Sequence, residues 1–210
     1  VNLMALGERH VAFPDVENMI FLKVATGIGS GIIAGGELQR GAQGTAGDIG
    51  HVQLTGGADI QCRCGYTGCL EAVASVPAVL SEINGGGPAL TNVAGIFEAV
   101  DSGHVQAIQA VRQAGRDVGE VLTTCVSLIN PSVIVIGGSL SRAGEHLLAG
   151  VREVVYSRSM PLASQQLTIV QSIVGREAGV IGAGVLGANY LLSPDVIDKL
   201  VTSAVRQAVG

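Results

Sequence analysis

Three cysteines and one histidine carry the most specific chemistry in this sequence. Cys62, Cys64 and Cys69 form C-x-C-x4-C, and His51 lies eleven residues before the first. Three thiolates and one imidazole are the donor set of a closed, tetrahedral zinc site. Soft sulfur favours zinc over magnesium or calcium. Gly65 and Gly68 sit between ligands, where the chain must turn tightly around an ion. The alternative is a group of buried or redox-active thiols. A closed site hydrolyses nothing; its work would be to fix the loop that carries His51 and Glu71. Cys125 falls on the apolar stripe of a long predicted helix and reads as a core residue.

A glycine run is the second candidate. Thr26-Gly27-Ile28-Gly29-Ser30-Gly31 follows an apolar, strand-like segment. Such glycines let backbone N–H groups approach an anion, and Thr26 adds a hydroxyl. The run is not G-x-x-x-x-G-K-[ST], and a hairpin rather than a helix is expected after it. A tight hairpin is the competing reading. Gly137-Gly138 ends another apolar run, where it suits either a nucleotide or a plain turn.

These residues need a scaffold. Met19 to Thr26 reads as a buried strand, Gly27 to Gly31 as a glycine turn, and Ile32-Ile33 as the opening of a second strand. Gly35-Gly36 reads as its hairpin turn, Gly41 to Gly50 as a loop, and His51 to Thr55 as a third short strand. Helices are expected over Val1 to Glu8, Leu70 to Ser75, after Pro77, and from His104 to Ile129, where Pro131 ends the pattern. Others are expected at Arg142 to Arg158, Gly179 to Leu192 and Asp195 to Ala208, with strands at Ser132 to Ile136 and Leu167 to Gln171. Hairpins first and βαβ crossovers afterwards predict an α/β mixed sheet flanked by helices. That order resembles one ribonuclease-H-like (actin-like) lobe, here with a small zinc-binding insertion at about residues 51–71.

Composition narrows the function. Of 210 residues, 48% are apolar and 14% charged, enough to bury a core and exclude wholesale disorder. Aromatics are 3% with no Trp, which argues against a platform of stacked rings for sugars or single strands. Twelve basic against seventeen acidic residues give −5 and no basic run, so this chain has no electrostatic footprint for nucleic acid. No apolar stretch reaches the ~18 residues of a membrane span. No signal-peptide pattern or disulfide framework is visible, and a cytoplasmic location is expected.

Together these pieces resemble the ROK family of repressors, open reading frames and sugar kinases. Val24 to Ile32, then Gly41, Gly47, Gly50 and His51, follow its signature, and CRCGYTGCLE (Cys62 to Glu71) follows its zinc motif. The resemblance covers Val1 to about Leu192. It implies that Thr26, Gly27 and Gly29 meet ATP phosphates in kinase members and that Gly137 and Gly138 form the adenosine side. It further implies that Asp48, His51 and Glu71 contact sugar hydroxyls, with His51 also on zinc, and that Asn2 matches the last Asn of N-D-x-N.

Two departures follow from the same resemblance. Asp48 stands where the family has Glu, shorter by about 1.5 Å. The catalytic Asp of N-D-x-N would precede Val1, as would the N-terminal lobe, so the chain is expected to be a single C-terminal lobe that is not catalytic by itself. Phe21 to Val24 and Leu70 to Ser75 look more like the regulator branch. The expectation is a sugar-sensing effector domain of a repressor, a homodimer that reaches DNA only through an upstream domain. The alternative is the C-terminal lobe of an ATP-dependent hexose kinase, which would add ATP and magnesium. A third is a structural zinc module that binds another protein and no sugar.

Overall fold

The computed structural model describes residues 1–85, 90–199 and 202. It opens with helix α1 (Asn2–Ala12). Strands β1 (Met19–Val24), β2 (Ile28–Ala34) and β3 (Glu37–Gln39) follow as an antiparallel meander. Next come α2 (Leu70–Ala74), α3 (Val76–Asn84), α4 (Val93–Asp101) and the 25-residue α5 (Val105–Ile129). Strand β4 (Val133–Gly137), α6 (Glu145–Arg158), α7 (Pro161–Ser164), β5 (Thr168–Gln171) and α8 (Ala178–Leu191) complete the order. Residues 194–199 are helical; apart from Thr202, the remainder of the predicted last helix lies outside the described residues.

The five strands form one sheet in the order β3-β2-β1-β4-β5. β1 runs antiparallel to β2 and parallel to β4, and β4 runs parallel to β5. Each parallel pair needs a crossover, and the helices between β1 and β4 and between β4 and β5 supply them. β1 is buried on both faces, which is why MIFLKV is almost unbroken in apolarity. Ile20, Leu22 and Val24 point with Ile134 and Ile136 into the core packed by α5 and α6. Met19 and Phe21 point the other way, with Val133 and Val135, toward the cluster that includes Ala5 and Leu6 of α1.

Small residues set how closely the helices cross. A Cβ on Gly182 would run into the carbonyl of Leu3, and one on Gly7 into the carbonyl of Ala178. The α5–α6 crossing is similar: a Cβ on Gly150 would strike the carbonyl of Arg112, and one on Gly115 that of Leu147. Helix α8 carries Gly179, Gly182, Gly184 and Gly187, and their roles are divided. Gly182 is core, whereas Gly184 and Gly187 have open space where a Cβ would stand.

Two local expectations are corrected. Gly27 to Gly31 is not a turn: the reversal takes only Ala25 to Gly27, and β2 begins at Ile28. Gly29 and Gly31 lie on one face of that strand, under the first turn of α1. A Cβ on Gly31 would stand 2.7 Å from the Ala5 Cβ and 3.3 Å from the Asn2 Cα. The third strand is Glu37–Gln39, not His51 to Thr55, whose ladder contact among the described residues is a bridge from Gln53 to Cys69. Helix α4 was not expected; Asn92 caps it by accepting from the Gly95 N–H at 3.1 Å. Gly35 and Gly36 are the predicted hairpin turn, with φ of 59° and 79°.

Gly150→Ala is expected to destabilise the protein by about 2 kcal/mol or more, because backbone must move. Gly184→Ala, with the same chemistry in open space, is expected to be neutral or to stabilise by up to about 1 kcal/mol. Urea denaturation of both variants measures the contrast.

Candidate functional site

The strand-like expectation for residues 51–55 gives way to a looped segment that brings its two ends together. Ile49–His51 forms a short 3-10 turn that presents His51. Leu54 N–H donates to the Gly68 carbonyl at 2.7 Å and Leu70 N–H to the Val52 carbonyl at 2.9 Å, so the segment closes on itself. Gly65 and Gly68 take φ of 97° and 74°, the left-handed region expected of glycines between ligands.

The donor atoms of His51, Cys62, Cys64 and Cys69 all lie within 4.8 Å of one another. Cys62 Sγ is 3.7 Å from His51 Nδ1, and Cys64 Sγ is 3.6 Å from Cys69 Sγ. With zinc–sulfur bonds near 2.3 Å, tetrahedral ligands stand about 3.8 Å apart. All three cysteines are free thiols rather than a disulfide. Burial, then the neighbouring sulfurs, push the Cys69 thiol up to about 12. Cys64, exposed and close to the Tyr66 backbone N–H, shifts down. Charge of like sign accumulates when these sulfurs ionise together, and a divalent cation is what relieves it. The set fits a metal ion.

Glu71 opens α2 directly after Cys69-Leu70. Its Oε2 accepts from the Ile28 N–H at 3.1 Å, and its Oε1 from Arg63 Nη2 at 2.9 Å. Burial alone would raise this carboxyl; the Arg63 hydrogen bond, the Ile28 N–H and the charges of Arg63 and His51 outweigh it and hold the group below the usual carboxylate range. A cavity of about 240 Å³ beside it is lined by Thr26, Gln61, Arg63 and Ser75 among others.

A second cavity, about 430 Å³, lies between the first turn of α1 and the glycine loop. Asn2, Gly29, Ser30, Gly47 and Asp48 line it. Gly47, with φ of 91°, lies against the Ser30 backbone, and the Ser30 N–H and Oγ both donate to its carbonyl, at 2.7 and 2.9 Å. That contact fixes the next residue, Asp48, whose carboxylate makes no capping bond to the turn it precedes.

A third cavity, about 230 Å³, holds Gly138, Ser139, Phe97, Arg142 and Arg176, with Met4 of α1. Gly138 takes φ of 91° and packs on the Val24 backbone, while Gly137 packs on the Phe21 ring. Arg142 lies 5.5 Å over the Phe97 ring. The glycines predicted to form a phosphate surface are thus spread: Gly27 covers Glu71, Gly29 lines the Asp48 cavity, and Gly138 lines a separate one. Two contacts depend on tertiary placement that the residue types do not signal. Arg63 stands between two thiol ligands, eight positions before its carboxylate partner, and that spacing alone was no signal. Glu8 is fully buried and accepts from Ser172 Oγ and the Ile173 N–H, each at 2.7 Å; a lone acid in an apolar helix was the available clue.

The family model for "ROK family" matches residues 1–189. The chain belongs to the ROK family. Among its relatives is a glucokinase of Halalkalibacterium halodurans, 30% identical over 198 residues, covering 87% of this chain and 60% of that protein. A solved ROK family transcriptional regulator, homologous to the E. coli MLC protein, superposes with a TM-score of 0.78 at 30% identity, covering 87% of this chain and 48% of that one. A ROK glucokinase from Streptomyces griseus in complex with glucose and AMPPNP gives 0.76 at 28%, covering 88% and 65%. This ROK chain therefore has the mixed sheet of the actin-like proteins it resembles, and it spans about half to two thirds of their length. Among its described residues no helix is long and apolar enough to cross a membrane.

Cobalt added to metal-free protein is expected to give the intense visible bands of a tetrahedral thiolate complex at one equivalent. Cys69→Ala should lose the bands and the binding stoichiometry, whereas Cys125→Ala, away from the cluster on α5, should keep both.

Proposed function

We propose that this chain is the sugar-sensing effector part of a ROK transcriptional regulator, a cytoplasmic protein that binds a hexose or hexose derivative beside a structural zinc. One observation carries the reading: Asn2 and Asp48, far apart in sequence, line one cavity whose β2 wall also anchors Glu71 through Ile28. Its size lies in the range of small-molecule sites. Carboxylates accept from vicinal hydroxyls, and Asn2 offers both a donor and an acceptor. Zinc, when bound by His51, Cys62, Cys64 and Cys69, supplies a fixed anchor with no open position. His51 then keeps one ring nitrogen for a sugar hydroxyl, in a fixed tautomer.

Binding without phosphoryl transfer fits the residues better than catalysis. Among the described residues, Glu71 already accepts two hydrogen bonds and His51 belongs to the metal cluster, which leaves Asp48 as the carboxylate facing the Asn2 cavity. Asp48, shorter than Glu, suffices for recognition. Sugar bound against the first turn of α1 would shift that helix and everything packed on it, a population shift driven by differential affinity. With a net charge of −5, the chain would reach DNA through an upstream domain, as a homodimer.

One observation favours the kinase reading. Thr26 is exposed at the tip of the β1–β2 reversal, and Gly138 approaches the end of β1 from the other side, a surface on which ATP with magnesium would lie. The complete protein separates the two readings. Calorimetry with a panel of hexoses is expected to find one that binds, with Asp48→Ala weakening it by about tenfold or more, and that sugar is expected to release the protein from its operator. ATP-dependent phosphorylation of the same sugar by the complete protein would replace this reading with the kinase one.

A further inference from the structure

Resting on the sugar-binding reading, the geometry points to Arg63 as a latch that competes with the sugar for Glu71. The two oxygens of the Glu71 carboxylate are not equivalent. Oε2 faces the backbone: it accepts from the Ile28 N–H, and a Cβ on Gly27 would stand 2.8 Å from it. Oε1 is therefore the oxygen left for a ligand, and Arg63 Nη2 sits on it at 2.9 Å. The Glu71 side chain is 16% exposed and that of Arg63 is 81% exposed. The carboxylate is thus held in a fixed place, while its partner hangs from the loop on one N–H···O contact, with the rest of its guanidinium in water.

A neutral hydroxyl that reaches Glu71 must displace this guanidinium or share its oxygen. Arg63 offers donors only, so it cannot replace the sugar's acceptors or extend a hydroxyl network. The latch sets a threshold: it keeps the carboxylate paired when the cavity of about 240 Å³ that Arg63 and Glu71 line is empty, and it lowers the apparent affinity for a neutral sugar that reaches from the Asp48 cavity into it. Because the opposing interaction is an exposed ion pair, it weakens as salt rises. Sugar affinity in the wild-type protein should then increase with ionic strength, an unusual direction for a neutral ligand. A residue that only supported the loop would produce no such dependence.

The test is calorimetry of the best-binding neutral hexose on metal-loaded complete protein, wild type against Arg63→Gln and Arg63→Lys, at low and high sodium chloride. Cobalt bands are recorded on each variant to verify that the thiol loop is intact. Arg63→Gln is expected to bind up to about fivefold tighter at low salt, with its salt dependence gone. Arg63→Lys should keep the dependence. Weaker binding by Arg63→Gln with normal cobalt bands would make Arg63 a sugar contact and overturn the latch. Equal binding at all salt concentrations would overturn it too. If no neutral hexose binds wild type or variant, the sugar-binding reading itself fails and the latch falls with it.

Discussion

The convergence of one imidazole and three sulfurs is the constraint on which the site depends. Between residues 51 and 69, only Leu54, Gly57, Cys62, Gly68 and Cys69 are buried. Apolar burial of that extent does not hold nineteen residues in one conformation against their chain entropy. A few backbone bonds help, such as the Cys62 N–H to the Tyr66 carbonyl at 2.7 Å. The Leu54–Gly68 and Leu70–Val52 backbone bonds close the segment, and the cluster joins the same two ends through side chains, with His51 at the start and Cys69 at the finish. Glu71 follows two residues later, so the cluster also fixes the distance between His51 and that carboxylate.

The other half of the site depends on a thin sheet. Gly31 lacks the side chain that would push α1 away from β2, so the first turn of α1 rests almost on the strand. Asn2 thereby meets the loop that ends in Asp48. Gly47 repeats the device from the other direction by lying on the Ser30 backbone. Two close approaches that a Cβ would block, at Gly31 and Gly47, draw a helix, a strand and a loop around one cavity. The helix carries the same rigidity onward, since Met4 lines the Gly138 cavity and Glu8 grips the loop after β5.

Much of this was legible in the sequence, for physical reasons. The ligand spacing and the apolar runs of β1 and β4 depend on local residue types, and both stand where they were expected. The long helix ending before Pro131 was equally clear, with Asn130 in the left-handed region at φ 49° as its stop. The glycine run was misread because glycine signals a turn and a close approach with the same letter. The alternation of Gly29 and Gly31 is the period of a strand face, whereas Gly27 belongs to the reversal before β2. The short strand β3 has the pattern exposed, half-buried, exposed, which offers almost no hydrophobic signal. The Arg63–Glu71 pair and the burial of Glu8 depend on tertiary placement, with Glu8 meeting a loop more than 160 residues away.

Sugar binding would depend on the metal cluster, because the cluster positions His51 and Glu71 while the sheet and α1 stand without it. The most direct test removes the metal with a chelator and measures hexose binding and the circular dichroism spectrum on the same sample. The account predicts that binding is lost, that the helix and sheet signal remains, and that one equivalent of zinc restores binding. Undiminished hexose binding by fully metal-free protein would contradict it.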